Sequence, residues 1–574
     1  MAAGDTKQTF QLDEKRRAIL VASGHLLVTG GPGCGKTTIA LLKARERTVS
    51  LLPGQEILFL SFSRAAVRQV LARAKNVLKH SQRSAVSVKT YHAFCMEVLH
   101  AHGRLLAGKR VRFLTPDAER LARSDFEGKW DEEVRRLAQK EGLLAFDTFA
   151  QSVADLFSRA KSVRRLYTDK YPLIIVDEFQ DTDDDQWRIV QSLSEGSVVC
   201  ALADPDQRIF DYRPKVSPER LQQLRETIRP TEFDFGQENN RSPGSGILAF
   251  ADAVLGNRVL PATEDVRQIP YPPTTLAVMV HVSVLWSYSV LRKRGVAHPV
   301  LAVLCKTNAL VAQVSAALNE EHTFKDSQLA PIAHEVLWDA ELVGAAGQVI
   351  ASILEWHDAT DTKLALGRTV DLIAHYYRLK NAERPSAVAS TMRQKLRVAA
   401  DAIRAGKSPA VKAVKQLAQA VGLSLGGDPV ADWKTARGVL EQIKGFAEVA
   451  REARLLRLFR ATDVIGVGLA TLWRDTGTYR DASSFVKRVL DEQRVTGAES
   501  DHRGCILMNM HKSKGKEFDG VVIVEGEYSG AFFNAGQEQP PFVKTRRLLR
   551  VAITRARSFV TLVRPRRAAP LTTP

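Results

Sequence analysis

Cysteine is scarce and scattered. Cys34, Cys95, Cys200, Cys305 and Cys505 stand alone, and no two form a C-x-x-C pair. That argues against a disulfide framework, a zinc module or an iron–sulfur cluster. No uninterrupted apolar run approaches the ~18 residues that would span a bilayer. The opening MAAGDTKQTF has neither a basic stretch nor an apolar one, so nothing signals secretion. A cytoplasmic protein with no membrane partner is expected. Internal repeats of 20–50 residues and low-complexity tracts are also missing. Acidic residues are in deficit: 64 Asp and Glu against 82 Lys and Arg leave a formal charge of +18. An excess of that size attracts phosphate polyanions through counterion release.

What is present is a chain of 574 residues, 45% apolar and 25% charged, with the composition of a globular protein of several domains. Short apolar runs of strand length occur at His25–Thr29, Ile57–Phe62, Leu173–Val176, Val198–Ala203, Leu301–Cys305, Cys505–Met510 and Gly520–Val524. Runs of this kind, separated by helical periodicity, predict parallel strands covered on both faces. They fall into two groups, each interrupted. Residues 96–165 read as a small helical insert, and residues 336–499 as a larger, mainly helical one with helical stretches at Ala389–Ile403 and Val430–Phe459.

Gly30-Gly31-Pro32-Gly33-Cys34-Gly35-Lys36-Thr37 fits the pattern G-x-x-x-x-G-K-[ST], after a strand-like LLVT and before Thr38 and a helical run. Glycines there let backbone N–H groups close round a β-phosphate. Lys36 can reach the β/γ oxygens, and Thr37 can hold Mg²⁺. The apolar run Leu173–Val176 ends in Asp177-Glu178, 141 residues beyond Lys36. A carboxylate at the carboxyl end of a neighbouring strand is where such an enzyme holds its metal, so Asp177 is the metal candidate and Glu178 the base. Asp183–Asp185 read as helix N-terminal acids, not as a second metal site.

Val176–Thr182 (VDEFQDT) resembles the second motif of the UvrD/Rep/PcrA helicases of superfamily 1A, and other motifs of that family follow in order. Ser61-Phe62-Ser63 is similar to T-F-T, and Thr90-Tyr91-His92 to T-F-H. Ala203–Phe210 (ADPDQRIF) is similar to G-D-x-x-Q-S-I-Y, followed by Tyr212-Arg213. Asn239-Asn240-Arg241-Ser242 is similar to N-Y-R-S, and His511–Phe518 (HKSKGKEF) to H-x-S-K-G-L-E-F. Arg546-Arg547-Leu548 and Ala552–Ala556 match R-R-L…V-T-R-A. The motifs reach from residue 11 to 557.

The resemblance implies an α/β fold of two RecA-like P-loop motor domains, each interrupted by a mainly helical insertion. The expected boundaries are 1–95 and 166–235 (1A), 96–165 (1B), 236–335 and 500–574 (2A), and 336–499 (2B). It implies ATP and Mg²⁺ as cofactors, Gln207 as γ-phosphate sensor, Arg241 and Arg555 as arginine fingers, and Glu517 on the ribose. Phe62, Ser63, Thr90, Tyr91, His92, Tyr212 and His511 are expected along a single-strand track, where aromatic rings stack bases without reading sequence. Single-stranded and tailed duplex DNA are then the partners, with 3′→5′ movement.

Two positions depart from the family pattern. Arg16 stands where the family's amino-terminal motif has Gln, with Gln11 able to replace it only after a register shift, and Asn240 stands where the family has Tyr. Relaxed adenine selectivity is the expectation. Basic residues cluster in the larger insert: Arg378, Lys380, Arg384, Arg393, Lys395, Arg397, Arg404, Lys407, Lys412 and Lys415. They read either as a duplex contact or as a solvated helical face. Three alternatives to an autonomous helicase stay open. One is a helicase–nuclease, whose cleavage would need a separate subunit because few residues follow the last motif. The second is a DNA-end sensor beside a nuclease or repair partner, and the third an RNA-directed ATPase.

Overall fold

The computed structural model describes residues 12–114, 119, 122–123, 126, 128–209, 215–236, 238–337, 341–383, 387–453, 461–496, 503–527 and 530–573. The chain divides into two compact units, one of residues 1–114, 134–307 and 509–574, the other of 115–133 and 308–508.

The first unit holds two sets of parallel strands. In the first set, β1 (Leu26–Thr29), β2 (Ile57–Ser61), β3 (Val86–Thr90), β4 (Leu173–Val176), β5 (Val198–Ala203) and β6 (Thr231–Asp234) form a sheet in the order β3-β2-β4-β5-β1-β6. The apolar runs read from the sequence are its central strands. Leu26, Leu27, Val28, Ile57 to Leu60 and Ile174 to Val176 are fully buried, as strands covered on both faces must be. Helices Lys36–Arg47 and Arg64–Val77 lie with one face of apolar side chains, and helices Tyr91–His102, Phe149–Arg159 and Asp184–Ser194 with the other. Asp183 caps the last of these by accepting the Gln186 N–H, and Asp184 and Asp185 occupy its first turn. That is the dipole role read from the sequence.

All these strands are parallel, so their carboxyl ends share one edge. Since β4, β5 and β1 are neighbours, that edge gathers the loops after Thr29, Val176 and Ala203. In the second set, β7 (Val266–Tyr271), β8 (Leu301–Cys305), β9 (Phe518–Val524) and β10 (Ala556–Pro565) run in the order β8-β9-β10-β7, again parallel. Here the residues expected to be functional precede the strands: Glu517 stands just before β9, and Arg555 just before β10.

Contrary to the run-length expectation, one helix among the described residues, Pro273–Lys293, is long and apolar enough to cross a membrane by length and composition. Its own residues explain it otherwise. Val280, Val284 and Leu291 are buried with His281, Ser283 and Ser287, and Ser287 Oγ shares a 2.8 Å hydrogen bond with Thr561 on β10. It is a sheet-covering helix.

The smaller insert carries an element not foreseen, a parallel pair of three-residue strands, Arg112–Leu114 and Leu143–Ala145. The second unit is mainly helical, with a core that includes Val343, Val349, Ile373, Tyr376 and Phe446. The expected helical stretch Val430–Phe459 is instead two helices, Pro429–Glu441 and Ala447–Ala453, with residues 454–459 outside the described part. Trp356 Nε1 donates to Thr369 Oγ1 at 3.0 Å, and the buried Asp432 accepts from Tyr479 Oη and the Gly426 and Gly427 N–H groups. These buried polar groups are thereby satisfied inside the core.

Candidate functional site

The loop after β1 is held in a conformation that only glycine adopts easily. Gly30, Gly33 and Gly35 have φ of +153°, +83° and +95°. A Cβ on Gly33 would lie 2.7 Å from Arg241 Cβ and 2.9 Å from Asn239 Oδ1. The loop therefore packs directly against the Asn239–Ser242 motif, and Asn240 N–H donates to Gly33 O at 2.9 Å. Lys36 Nζ folds back to donate to Gly30 O (2.6 Å) and Gly31 O (3.0 Å), so its ammonium is already inside the loop. Thr37 and Thr38 follow in the first turn of the helix.

Asp177 and Glu178 emerge where β4 ends. Asp177 N–H still donates to Leu60 O, and Glu178 is left-handed at φ +53°, a strained setting for a side-chain-bearing residue. Burial pushes the Asp177 carboxyl up to about 7, reinforced by Glu178 beside it. Burial acts on Glu178 in the same sense, but Lys514, Lys36 and Arg555 together hold it below the usual range.

A hydrogen-bonded circuit joins this carboxylate to the motif before β10. Gln180 Nε2 donates to Glu178 Oε2 at 2.5 Å, and Gln180 Oε1 accepts from Asp204 N–H at 3.0 Å. Gln207 Nε2 donates to Asp204 Oδ2 at 2.8 Å, and Arg555 donates to Gln207 Oε1 at 3.1 Å. Lys514 closes it by pairing with Asp181 and, at 3.4 Å, with Glu178, while donating to Gln207 O at 2.9 Å. Arg555 is buried, and desolvation with Arg241 nearby lowers its guanidinium to about 9. Arg241 donates to Thr554 O and to Glu517 Oε1, both at 2.9 Å.

Glu517 thus sits among three arginines: Arg241, Arg73 at 2.6 Å and Arg557 at 3.4 Å. Against the desolvation that opposes it, they hold its carboxyl down to about 2. A depressed carboxylate contributes stability above its ordinary value of 4.5, and loses it as pH falls toward 2. The shift corresponds to about 3 kcal/mol at most. Urea unfolding at pH 5 and pH 3 should therefore show Glu517→Gln less stable at pH 5 and less sensitive to acid than the wild type. Parallel acid profiles would contradict this account of Glu517.

Comparison with known proteins bears on this cradle. The model for the UvrD/REP helicase N-terminal domain matches residues 12–127 and 117–228. Over residues 12–228 the chain is therefore similar to UvrD/PcrA helicases. The ATP-dependent DNA helicase PcrA of Staphylococcus epidermidis is 22% identical over 294 residues, 42% of this chain and 39% of that protein. The PcrA of Staphylococcus aureus is 24% identical over 297 residues, 42% and 40% of the two chains. YjcD of Bacillus subtilis is 22% identical over 309 residues, 45% and 40%. The match spans about two fifths of the length of these relatives.

The residues expected on a single-strand track are placed unequally. Ser63 and Thr90 act as helix caps, accepting from Ala66 and Ala93 N–H groups at 3.1 Å each. Phe62 is half-buried at the end of β2, and His92 stacks on Phe146 with centroids 4.2 Å apart. Tyr91 is a correction: it is 2% exposed within the apolar core, because Thr90 starts a helix there and turns the next side chain inward. As folded, its ring is not available to a base. Burial, and Lys306 nearby, push the His511 imidazole below its ordinary value. Tyr212, Arg384 and Gln11 lie outside the described residues.

Arg16 is likewise committed. It is 5% exposed, pairs with Asp13 and Glu238, donates to Cys34 O at 3.2 Å, and lies 4.6 Å over the Phe235 ring. On the larger insert, Lys380 pairs with Glu448, and Arg404 with Asp371 and Asp401, so that face is partly neutralised. Lys395, Arg397, Lys407, Lys412 and Lys415 remain exposed. Sequence reasoning missed Arg73, Lys514 and Arg550, whose partners are up to 444 residues away in the chain.

Proposed function

We propose that the chain is an ATP-driven motor on single-stranded DNA that unwinds duplex with 3′→5′ polarity. The observation that carries the reading is the circuit from Glu178 through Gln180, Asp204 and Gln207 to Arg555, set beside a P-loop whose lysine is already turned inward. Phosphoryl transfer needs a base for the attacking water and cations on the equatorial oxygens, delivered together. Here the base comes from the end of β4 and the cation from the segment before β10. Hydrolysis then depends on the two sets of strands staying in register.

The residues fit ATP and Mg²⁺. The glycines at positive φ leave the backbone N–H groups free of side-chain bulk, as a phosphate cradle requires. No group of three metal-ligating side chains stands together among the described residues, so Thr37 and Asp177 would share the ion with nucleotide oxygens. When bound, the ion supplies charge neutralisation at the phosphates. Lys36 exchanges its carbonyl partners for phosphate oxygens, Glu178 takes the proton of the attacking water, and Arg555 and Arg241 face the developing charge. Arg241 serves only once it leaves Glu517. By the same reading, residues 1–95 with 166–235 and 236–335 with 500–574 act as the two motor halves, with 96–165 and 336–499 as their insertions.

The test is steady-state ATP hydrolysis with and without single-stranded DNA, alongside strand displacement from 3′-tailed and 5′-tailed duplexes. DNA-stimulated hydrolysis with unwinding from the 3′ tail alone supports the proposal. No stimulation by DNA overturns it, and stimulation without unwinding favours the sensor reading with a separate partner.

Nucleotide choice follows from Arg16. With its guanidinium spent on Asp13, Glu238 and Cys34 O, it is not offered to a base, and the exposed Asn240 supplies no ring to stack on one. A site that makes no specific bond to a base rejects the wrong one weakly. ATP and GTP should give kcat/KM values within about tenfold of each other. A preference for ATP of about a hundredfold would sink this reading.

A further inference from the structure

One fully buried charge in the first unit takes no part in the chemistry proposed above. Arg550, on helix Val543–Ile553, is 0% exposed, and around it stand three carboxylates. Its Nε donates to Asp252 Oδ1 at 2.6 Å. Its two terminal nitrogens have no hydrogen-bond partner: one lies 3.6 Å from Asp204 Oδ1, the other 3.9 Å from Asp206 Oδ2. The guanidinium is therefore fixed at one end, with one arm of its fork reaching toward Asp204 and the other toward Asp206, each beyond hydrogen-bond distance.

Asp204 is the hinge of the circuit. It is 3% exposed, accepts from Gln207 Nε2 and from Asp206 N–H, and its own N–H donates to Gln180. Where its carboxylate turns, the Gln207 amide turns with it, and with that amide the contact to Arg555, while the Asp204 backbone N–H separately holds Gln180 and through it Glu178. An arginine wholly removed from water is a poor choice if stability alone were served, since an apolar side chain fills such a place as well. What a rigid planar cation does provide is a fixed frame, its three nitrogens holding the Asp252, Asp204 and Asp206 carboxylates at set positions.

We propose that Arg550 is a positioning residue for the phosphoryl transfer: braced on Asp252, it sets the Asp204 carboxylate, and through it the Gln207 amide that meets Arg555. The inference rests on the hydrolytic reading of the site. It adds to that reading a link between helix Val543–Ile553 and the end of β5 in which Arg550 touches neither nucleotide nor water.

The experiment uses the full chain with saturating single-stranded DNA and compares wild type, Arg550→Lys and Asp252→Asn. Three quantities are read: kcat and KM for ATP, the Kd of a fluorescent ADP analogue, and the thermal midpoint. Lysine keeps the charge and loses the planar fork. Asp252→Asn keeps the shape and loosens the brace. Both are expected to lower kcat about tenfold or more, with KM and Kd within about threefold of wild type. A role in stability alone would lower the midpoint and leave kcat of the folded enzyme unchanged, and that result overturns the proposal. Should both variants fail to fold, Asp206→Asn decides. Asp206 is half exposed, and its replacement should lower kcat about threefold with Kd unmoved, an unchanged kcat counting against Arg550. If wild type hydrolyses no more ATP than Glu178→Gln, the hydrolytic reading fails and takes this inference with it. If wild type is active and the variants match it, this inference alone fails.

Discussion

Arg555→Ala should lower ATP turnover by about three orders of magnitude while leaving nucleotide affinity within about tenfold. The guanidinium is buried at the edge shared by the carboxyl ends of the first sheet, and one nitrogen donates to Gln207 Oε1 at 3.1 Å. A cation in that position meets charge that develops on the transferred phosphoryl group, so its loss is felt in the transition state more than in binding. Single-turnover hydrolysis with ATP bound beforehand separates the two quantities. A turnover within about twofold of wild type would remove Arg555 from the mechanism.

Glu178→Gln should leave a protein that binds ATP and DNA and hydrolyses about 10² to 10⁴ times more slowly, the range for loss of a general base. The substitution is close to isosteric, so the left-handed backbone at residue 178 and the packing of Gln180 survive. What disappears is the charge that Lys514 pairs with at 3.4 Å and that Lys36 and Arg555 help to hold in the ionised form. Because these cations keep the carboxylate below its usual range, Glu178 does not itself set an acid limb near neutrality. Quench-flow measurement of phosphate release, with ATP affinity measured in parallel, checks the prediction. Hydrolysis above about a tenth of wild type would assign the base elsewhere.

Much of the architecture was legible in the residues, and the exceptions have physical causes. The continuous apolar runs read as strands proved to be strands because both faces of a parallel sheet are covered. β10 escaped notice since its residues include Arg564 and Thr561, whose polar ends are satisfied internally, the first by Glu525 at 2.6 Å and the second by Ser287. β7 contains a proline, and β3 and β6 lie at the sheet's two edges with half-exposed, polar residues. At the site, the P-loop, the Asp177-Glu178 pair and Gln207 were visible as motifs. The ion pairs of Glu517 and Lys514 were not, since no local pattern announces a partner hundreds of positions away. Tyr91 shows the opposite failure. The residues match a motif, but the helix that Thr90 starts there decides which way the Tyr91 ring points.

The order of strands in the second set also bears on the chain as it is being made. β7 is complete by Tyr271, yet its neighbour in the sheet is β10, which begins at Ala556. Contacts of that sequence separation form late. A nascent chain thus carries a finished P-loop and both carboxylates while β7 waits, an exposed edge open to wrong pairing. On the proposed reading, such a chain can hold a nucleotide but lacks Arg555 until that residue leaves the ribosome, so full hydrolysis waits for the last strand of the sheet.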